Sequence, residues 1–309
     1  MDRTAAFPQI NRKKKARLRG NGSAFANKMI YLFLGLLSFI MLFPFYNVLI
    51  TSFATPKAIS EQAIYILPVS FDLTSYKMVF TETVLGNAFL VSVFITVFGT
   101  FVNMVLTVSA GYSLSKNELP GRKFFIGIIL FSMIFNGGLV PYFLNIKRLG
   151  LINSYFVMIF PVAVDTFLLL IMMNYFRSIP KSLEESARLD GANDISILVK
   201  VILPISLPTI AAISLFYAVA RWNEWWLPML FVNDPNKQTM PLILRNMLME
   251  IDTMLRNSQA STAASNTRQV YPEGIKMSAV VLTSLPIIAV YPFIQKHFNA
   301  GIMVGSIKG

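Results

Sequence analysis

A chain of 309 residues in which 55% are hydrophobic and only 14% charged, with a mean hydropathy of +0.59, is too apolar for an ordinary soluble domain. Its apolar runs reach the length of about 20 residues that crosses a bilayer as a helix, and the short alternating pattern of a membrane barrel is absent, so the fold class is an all-α membrane protein. Cysteine is absent and His297 is the single histidine, which excludes disulfides, thiolate chemistry and a transition-metal site, so the chain is expected to bind no metal or cofactor of its own.

The tail over residues 1–27, with Lys28, carries eight Lys or Arg. The net charge of +12 would suggest nucleic acid for a soluble protein, but charge massed ahead of the first apolar run is a topology signal, and no nucleic-acid partner is expected. That run, 29–53, exceeds the roughly 7 to 15 apolar residues of a cleaved leader and ends in no small-residue cleavage site, so it is expected to be retained. Six spans are predicted within a membrane domain of 28–295: about 28–53, 87–113, 123–145, 155–177, 205–231 and 276–295. An even number places both termini on one side. Seventeen of the 27 Lys and Arg fall on that side and nine on the other, with Arg221 at the end of span five, so both termini are expected on the cytoplasmic side. The cytoplasmic side then holds a long connection, 178–204, and a tail, 296–309; the outer side holds loops over about 54–86 and 232–275.

Asp165 falls near the middle of span four. An intramembrane carboxylate faces protein or a water-filled cavity, and it marks either a pathway or a structural pairing. Asn87, Asn103, Asn136 and Asn145 are weaker polar candidates.

The connection that follows contains "SLEESARLDGAND" (182–194), with five charges among the eleven residues 184–194. At about 2.5 to 3.5 kcal/mol for each Asp, Lys or Arg at a bilayer centre, this cluster cannot cross the membrane. Pro180 ends the preceding helix, and Ser182 with Glu185 has the form of a capping box, so a short helix is expected from about Leu183 until Gly191 breaks it. Asn193 or Asp194 then caps a second helix, in which Ile195, Leu198, Val199 and Ile202 form one apolar stripe ending at Pro204. A solvated charged loop is the plain alternative.

Span five ends in Arg221, Trp222, Asn223, Glu224, Trp225 and Trp226, which hold all three tryptophans. Tryptophans near a helix end serve as interfacial anchors or, in the sharper reading, line a solute path with apolar ring faces while Asn223 and Glu224 hydrogen-bond the solute's polar groups. Arg221 and Glu224, three apart, suit a mutual pair, or Arg221 meets the carboxylate of an acidic solute. Beyond them "NSQASTAASNTRQ" is small and polar without apolar periodicity, the composition of a loop tip.

The segment from Glu185 to Ala192, Glu-Ser-Ala-x-x-Asp-Gly-Ala, with Pro204 thirteen residues after Gly191, resembles the EAA motif of importer-type ABC transporter permeases. "NGGLVPYFLNIKRLGLINSY" (136–155), "RWNEWWLPMLFVND" (221–234) with the following "QTMPL", and "GIMVGSIKG" (301–309) extend the likeness from about residue 28 to the end. They resemble carbohydrate permeases of the maltose type, and the first is most similar to a subgroup serving oligosaccharides from polysaccharide breakdown. Ser186 stands where the motif has Ala, a small residue that still permits close packing.

The resemblance implies six transmembrane helices of the type I ABC importer permease fold with cytoplasmic coupling helices. It implies ATPase coupling through Glu184, Glu185, Ser186, Ala187, Asp190, Gly191, Ala192 and Pro204, and a second ATPase contact through Gly301, Gly305, Lys308 and Gly309. The implied partners are a homologous second permease, two ABC ATPase subunits that use ATP and Mg, and an extracytoplasmic solute-binding protein engaged by the loop within 232–275. Sugar is the substrate, oligosaccharide and acidic in the sharper form, with lipid around the bundle. No Gly-x-x-x-x-Gly-Lys-Ser/Thr run occurs in the sequence, so the chain lacks the cradle for ATP phosphates and is expected to be a transport subunit rather than an enzyme. An ion-coupled transporter or channel using Asp165, or an ABC importer for a non-sugar solute, are the alternatives.

Overall fold

In a bilayer the backbone must close its hydrogen bonds within the segment, and apolar runs of this length do so as helices. The computed structural model describes residues 21–55, 71–81, 83–260 and 274–289, and helices are the only regular structure among them. Two compact units divide the chain, 1–47 and 48–309.

Helix α1 is Asn21–Ser52, with Pro44 inside it. A short α2, Thr74–Thr81, starts where Asp72 Oδ1 accepts from the Thr74 amide at 2.9 Å and its hydroxyl at 2.7 Å. Helix α3, Thr83–Ser115, has 33 residues. At 1.5 Å per residue it is about 50 Å long, well beyond a hydrocarbon core of about 30 Å, so it projects from the membrane and carries contacts outside it. α1 and α3 are unbroken and apolar enough to span.

Spans three, four and five are not the straight helices that hydropathy suggests. α4, Arg122–Ile134, and α5, Leu139–Arg148, meet at 118°. Asn136 Oδ1 accepts from the Gly138 amide at 2.9 Å and folds the chain back between them. The fourth span opens as tight 3-10 turns over Tyr155–Val162 and restarts as α6, Thr166–Ser178, bent by 50°. Pro161 lacks an amide proton and weakens continuity there. α7, Lys181–Leu189, is followed by α8, Asp194–Ile197, which runs through a π-turn, Leu198–Ile202, into Leu203–Ile205. The chain then turns by 86° into α9, Leu207–Trp222, so the fifth span begins at Leu207 and stops at Trp222. A short α10, Trp226–Phe231, α11, Met240–Ala260, and the apolar helix α12, Gly274–Ala289, complete the described residues.

α3 is the central post, packed along α6 and α9. One core joins Val91 and Ile95 of α3 to Ile146, Val157, Met158, Ile159, Leu227 and Phe231. A second joins Tyr112 of α3 to Leu168, Met172 and Phe176 of α6, to Ile213 and Tyr217 of α9, and to Ile197 and Ile202 of the connection. A third holds Val79, Leu85 and Ala88 against Met240, Ile243 and Ala279.

The close crossing of α3 and α6 needs Gly111, where a Cβ would lie 3.1 Å from Met172 Cγ and 3.4 Å from the Met173 amide nitrogen. Gly127 of α4 has open space around its Cα. Gly111→Val should therefore lower the thermal midpoint of the purified chain in detergent, at a cost of about 1–3 kcal/mol for overpacking, while Gly127→Val changes it little.

Candidate functional site

The charged stretch folds into a capped pair of helices. α7 begins two residues earlier than the Ser182 and Glu185 pattern predicts, with Pro180 at its N-cap and no side-chain capping bond. The fixed φ of Pro180 already sets the entry, so the capping box is not used. At its other end Gly191, at φ +82°, closes a Schellman turn: its amide donates to Arg188 O at 3.0 Å and the Ala192 amide to Ala187 O at 3.0 Å. Nothing lies within 4 Å of a Cβ built on Gly191, so handedness rather than crowding requires glycine there. Asn193 Oδ1 then accepts from the Ser196 amide at 2.8 Å and caps α8, as the spacing predicts.

The faces of this unit differ from the expected ones. Ile197, Leu198 and Ile202 turn into the second core, whereas Ile195 and Val199 point out. The π-turn causes this by placing residues five apart, Ile197 and Ile202, on one side, which shifts the stripe expected at a period of 3.6. Ala187 and Ala192 also pack on that core, so their small size serves the fit of α7 onto its own chain. Glu184 turns inward and pairs with Lys116 at the end of α3. The Lys116 ammonium sits 4.1 Å over the Tyr112 ring, which meets Phe176 of α6 edge-on at 6.0 Å. Glu185, Ser186, Asp190 and Gly191 remain on the outer face, together with Leu189, 90% exposed and one turn beyond Glu185. The sequence motif does not single out Leu189, although an apolar residue amid five charges is the signal for it. Pro204 lies exposed just before the bend into α9.

The break in span four is held by two side-chain pairs, each spaced four apart on its helix. From α9, Arg221 donates to Met158 O at 2.9 Å and to Val162 O, and Tyr217 Oη accepts from the Asp165 amide at 3.0 Å. From α3, Asn103 Nδ2 donates to Val162 O at 3.1 Å, and Thr107 Oγ1 shares a 2.7 Å hydrogen bond with Tyr217 Oη. Asp165 starts α6 by accepting from the Leu168 amide at 2.9 Å, and its side chain still reaches the surface of the chain. Hydropathy put Asp165 inside a continuous helix; the structure puts it at a helix start, where the free amides need an acceptor.

The tryptophan turn also divides. Trp222 is buried, its indole donating to Thr283 O at 3.1 Å and its ring edge-on to Phe89 at 6.0 Å, so in this chain it ties α9 to α12. Asn223 Nδ2 bonds back to Val219 O at 2.8 Å. Glu224 makes no pair with Arg221, whose guanidinium goes to carbonyls; its Oε1 instead accepts from the amides of Trp226 and Leu227, each at 3.0 Å, and starts α10. Trp225 and Trp226 stay open, at 36% and 45% exposure, with rings perpendicular at 5.6 Å. Arg245 of α11, which the sequence reading did not single out, lies 4.7 Å over the Trp225 ring.

Of the weaker candidates, Asn87 reaches Asn236 at 3.4 Å and the Asn136 side chain serves a local turn, while Asn145 accepts from the Leu149 amide through its backbone carbonyl alone. Gly301, Gly305, Lys308 and Gly309 lie outside the described residues, and so does most of the loop tip over 257–269, whose first four residues, Asn257 to Ala260, instead continue helix α11. Among the described residues no group of three or more His, Cys, Asp or Glu could hold a metal ion.

A family model described as "binding-protein-dependent transport system inner membrane component" matches residues 121–304. The chain is 41% identical over 282 residues to the polygalacturonan/rhamnogalacturonan transport system permease protein YtcP of Bacillus subtilis, covering 91% of this chain and 97% of that one. It is 29% identical over 293 residues to the trehalose/maltose transport system permease protein MalG of Thermococcus litoralis, covering 91% and 98%. Among solved structures, a chain of a bacterial ABC transporter involved in the import of the acidic polysaccharide alginate superposes with a TM-score of 0.82 at 29% identity, covering 92% of this chain and 100% of that one.

The polar clamp at the break makes a direct prediction. Tyr217→Phe removes the hydroxyl that serves both Thr107 and the Asp165 amide, leaving two buried groups without that partner. It should cost about 1–3 kcal/mol, read as a lower thermal midpoint in detergent. Tyr175→Phe, whose hydroxyl bonds Ile205 O at 3.3 Å from an exposed position, should have little effect.

Proposed function

This chain belongs to the family of binding-protein-dependent transport system inner membrane components, and we propose that within it the chain forms one half of the membrane path of an ATP-driven importer of acidic oligosaccharides. It is a multi-pass permease of the inner membrane, a transport subunit without catalysis of its own. One observation carries the coupling role. α7 offers Glu185, Ser186, Leu189, Asp190 and Gly191 to the outside while its opposite face, through Glu184, Ala187 and the adjoining Ile197 and Ile202, is locked to α3, α6 and α9.

A partner ATPase that seats this outer face in a groove moves a packed unit rather than a loop. Glu185 meets a basic side chain of the partner, and Leu189 fills an apolar recess beside it. Closure of two such ATPase subunits on ATP and Mg then rotates α6 and α9 about α3. Both termini lie on that same cytoplasmic side, as the distribution of Lys and Arg favours, and the tail with Gly301, Gly305, Lys308 and Gly309 adds a second contact to the ATPases. A homologous permease completes the path, and a solute-binding protein delivers the sugar from outside.

The acidic character of the cargo is supported by the likeness to a polygalacturonan/rhamnogalacturonan permease and to an importer of alginate. Open tryptophans at the end of α9 farthest from α7 suit the apolar faces of sugar rings. An ion-coupled mechanism finds less support, because the Asp165 carboxylate it needs is engaged at the start of α6.

Glu185→Ala and Gly191→Trp should reach the membrane at wild-type levels, yet co-purify with less ATPase and lose at least about tenfold in ATP-dependent uptake. Wild-type yields of ATPase with transport intact would sink the coupling role. Uptake into vesicles that needs a proton gradient, and neither ATP nor the binding protein, would sink the importer reading.

A further inference from the structure

We propose that Arg245, stacked on Trp225 beside Trp226, reads the carboxylate of a uronate ring as the sugar passes. This rests on the acidic-sugar reading above and assigns it a site. The sequence offered Arg221 for that task. Arg221 is buried, and its guanidinium is taken up by the carbonyls of Met158 and Val162, so a passing anion cannot recruit it without undoing the break in span four.

Arg245 is in the opposite situation. Its guanidinium carbon lies 4.7 Å from the Trp225 ring centre, and among the described residues no carboxylate pairs with it. Glu224, the acid at the same turn, spends Oε1 on the amides of Trp226 and Leu227. Stacking on an aromatic face leaves the in-plane N–H fork of a guanidinium free, and that fork matches a carboxylate in bidentate geometry. The tryptophan supplies the other half of the recognition. Trp225 and Trp226 present perpendicular rings, 5.6 Å apart and partly open, on which the C–H face of a pyranose can lie while its carboxylate meets Arg245.

The stack is also held in place. Thr239 Oγ1 donates to Glu224 O at 2.7 Å and ties the turn to the start of α11, and Leu227 and Phe231 of α10 are buried with Met158 of the broken span. A site fastened to the segment that Arg221 grips shifts when α9 shifts. Affinity for the uronate can then change between the states of the transport cycle, which a mobile surface arginine would not provide.

The test uses the complete importer, with partner permease, ATPase and binding protein, in proteoliposomes, and trigalacturonate as the probe. Arg245→Met and Arg245→Gln should each lower the maximal uptake rate about tenfold, the loss expected for one charge-assisted contact, with the half-saturating concentration of loaded binding protein unchanged. Arg245→Lys should recover part of the rate, since it keeps the charge and loses the fork. An unchanged maximal rate in both neutral variants overturns the assignment. So does a raised half-saturating concentration at full rate, which makes Arg245 a contact for the binding protein, and so does loss in Arg245→Met alone, which makes its role packing. Failure of the wild-type importer to take up trigalacturonate overturns the acidic-sugar reading itself, whereas wild-type uptake with unaffected variants overturns the role of Arg245 alone.

Discussion

A helix broken inside a bilayer has no water to repair it, and the break at Val162 and Asp165 is repaired by side chains from two neighbours. Arg221 of α9 and Asn103 of α3 donate to the carbonyls of Met158 and Val162, and Tyr217 of α9, hydrogen-bonded to Thr107 of α3, accepts from the amide of Asp165. The three helices therefore cannot slide independently without exposing polar backbone to hydrocarbon, a penalty of several kcal/mol per group. The two functional ends of the molecule are spaced by this clamp.

At one end the clamp continues into packing. Tyr217, whose hydroxyl belongs to the clamp, also lies in the apolar core with Met172, Phe176, Ile197 and Ile202. Displacing α7 and α8 therefore moves α6 and α9, because a core at crystal-like density transmits strain rather than absorbing it. The Glu184 and Lys116 pair, with Lys116 seated on Tyr112, adds a charged tie at the projecting end of α3. Partly shielded from solvent, this pair is worth more than the exposed pair between Arg188 and Asp194.

At the other end the residues divide by what they hold. Trp222 and Glu224 serve the frame, through Thr283 O and the first amides of α10, and Trp225, Trp226 and Arg245 form the group for which the sugar contact is proposed. α9 has 16 residues, so about 24 Å separates this end from the bend beside the coupling unit. The proposed sugar path and the proposed ATPase contact are thus two ends of one helix, gripped at Arg221 and Tyr217.

Much of this was determined by the sequence alone. Apolar runs of spanning length establish an all-helical membrane protein, and the Asp-Gly-Ala-Asn string from Asp190 to Asn193 encodes a left-handed stop followed by a cap, both local events that need no partner. The motif around Glu185 resembles the coupling motif of importer-type permeases, and the coupling role proposed for it starts from that resemblance. Tertiary structure decided the rest, because hydropathy sums over a window and cannot see where a helix breaks or which face a register shift presents. It could not tell that Asp165 starts a helix, that the π-turn buries Ile197 and Ile202 and exposes Ile195, or that Glu184 turns in while Leu189 turns out. Nor could it show that Arg221, the cation expected to meet an acidic sugar, is consumed by the carbonyls of Met158 and Val162, or that Arg245, far from the tryptophans in sequence, lies over the Trp225 ring.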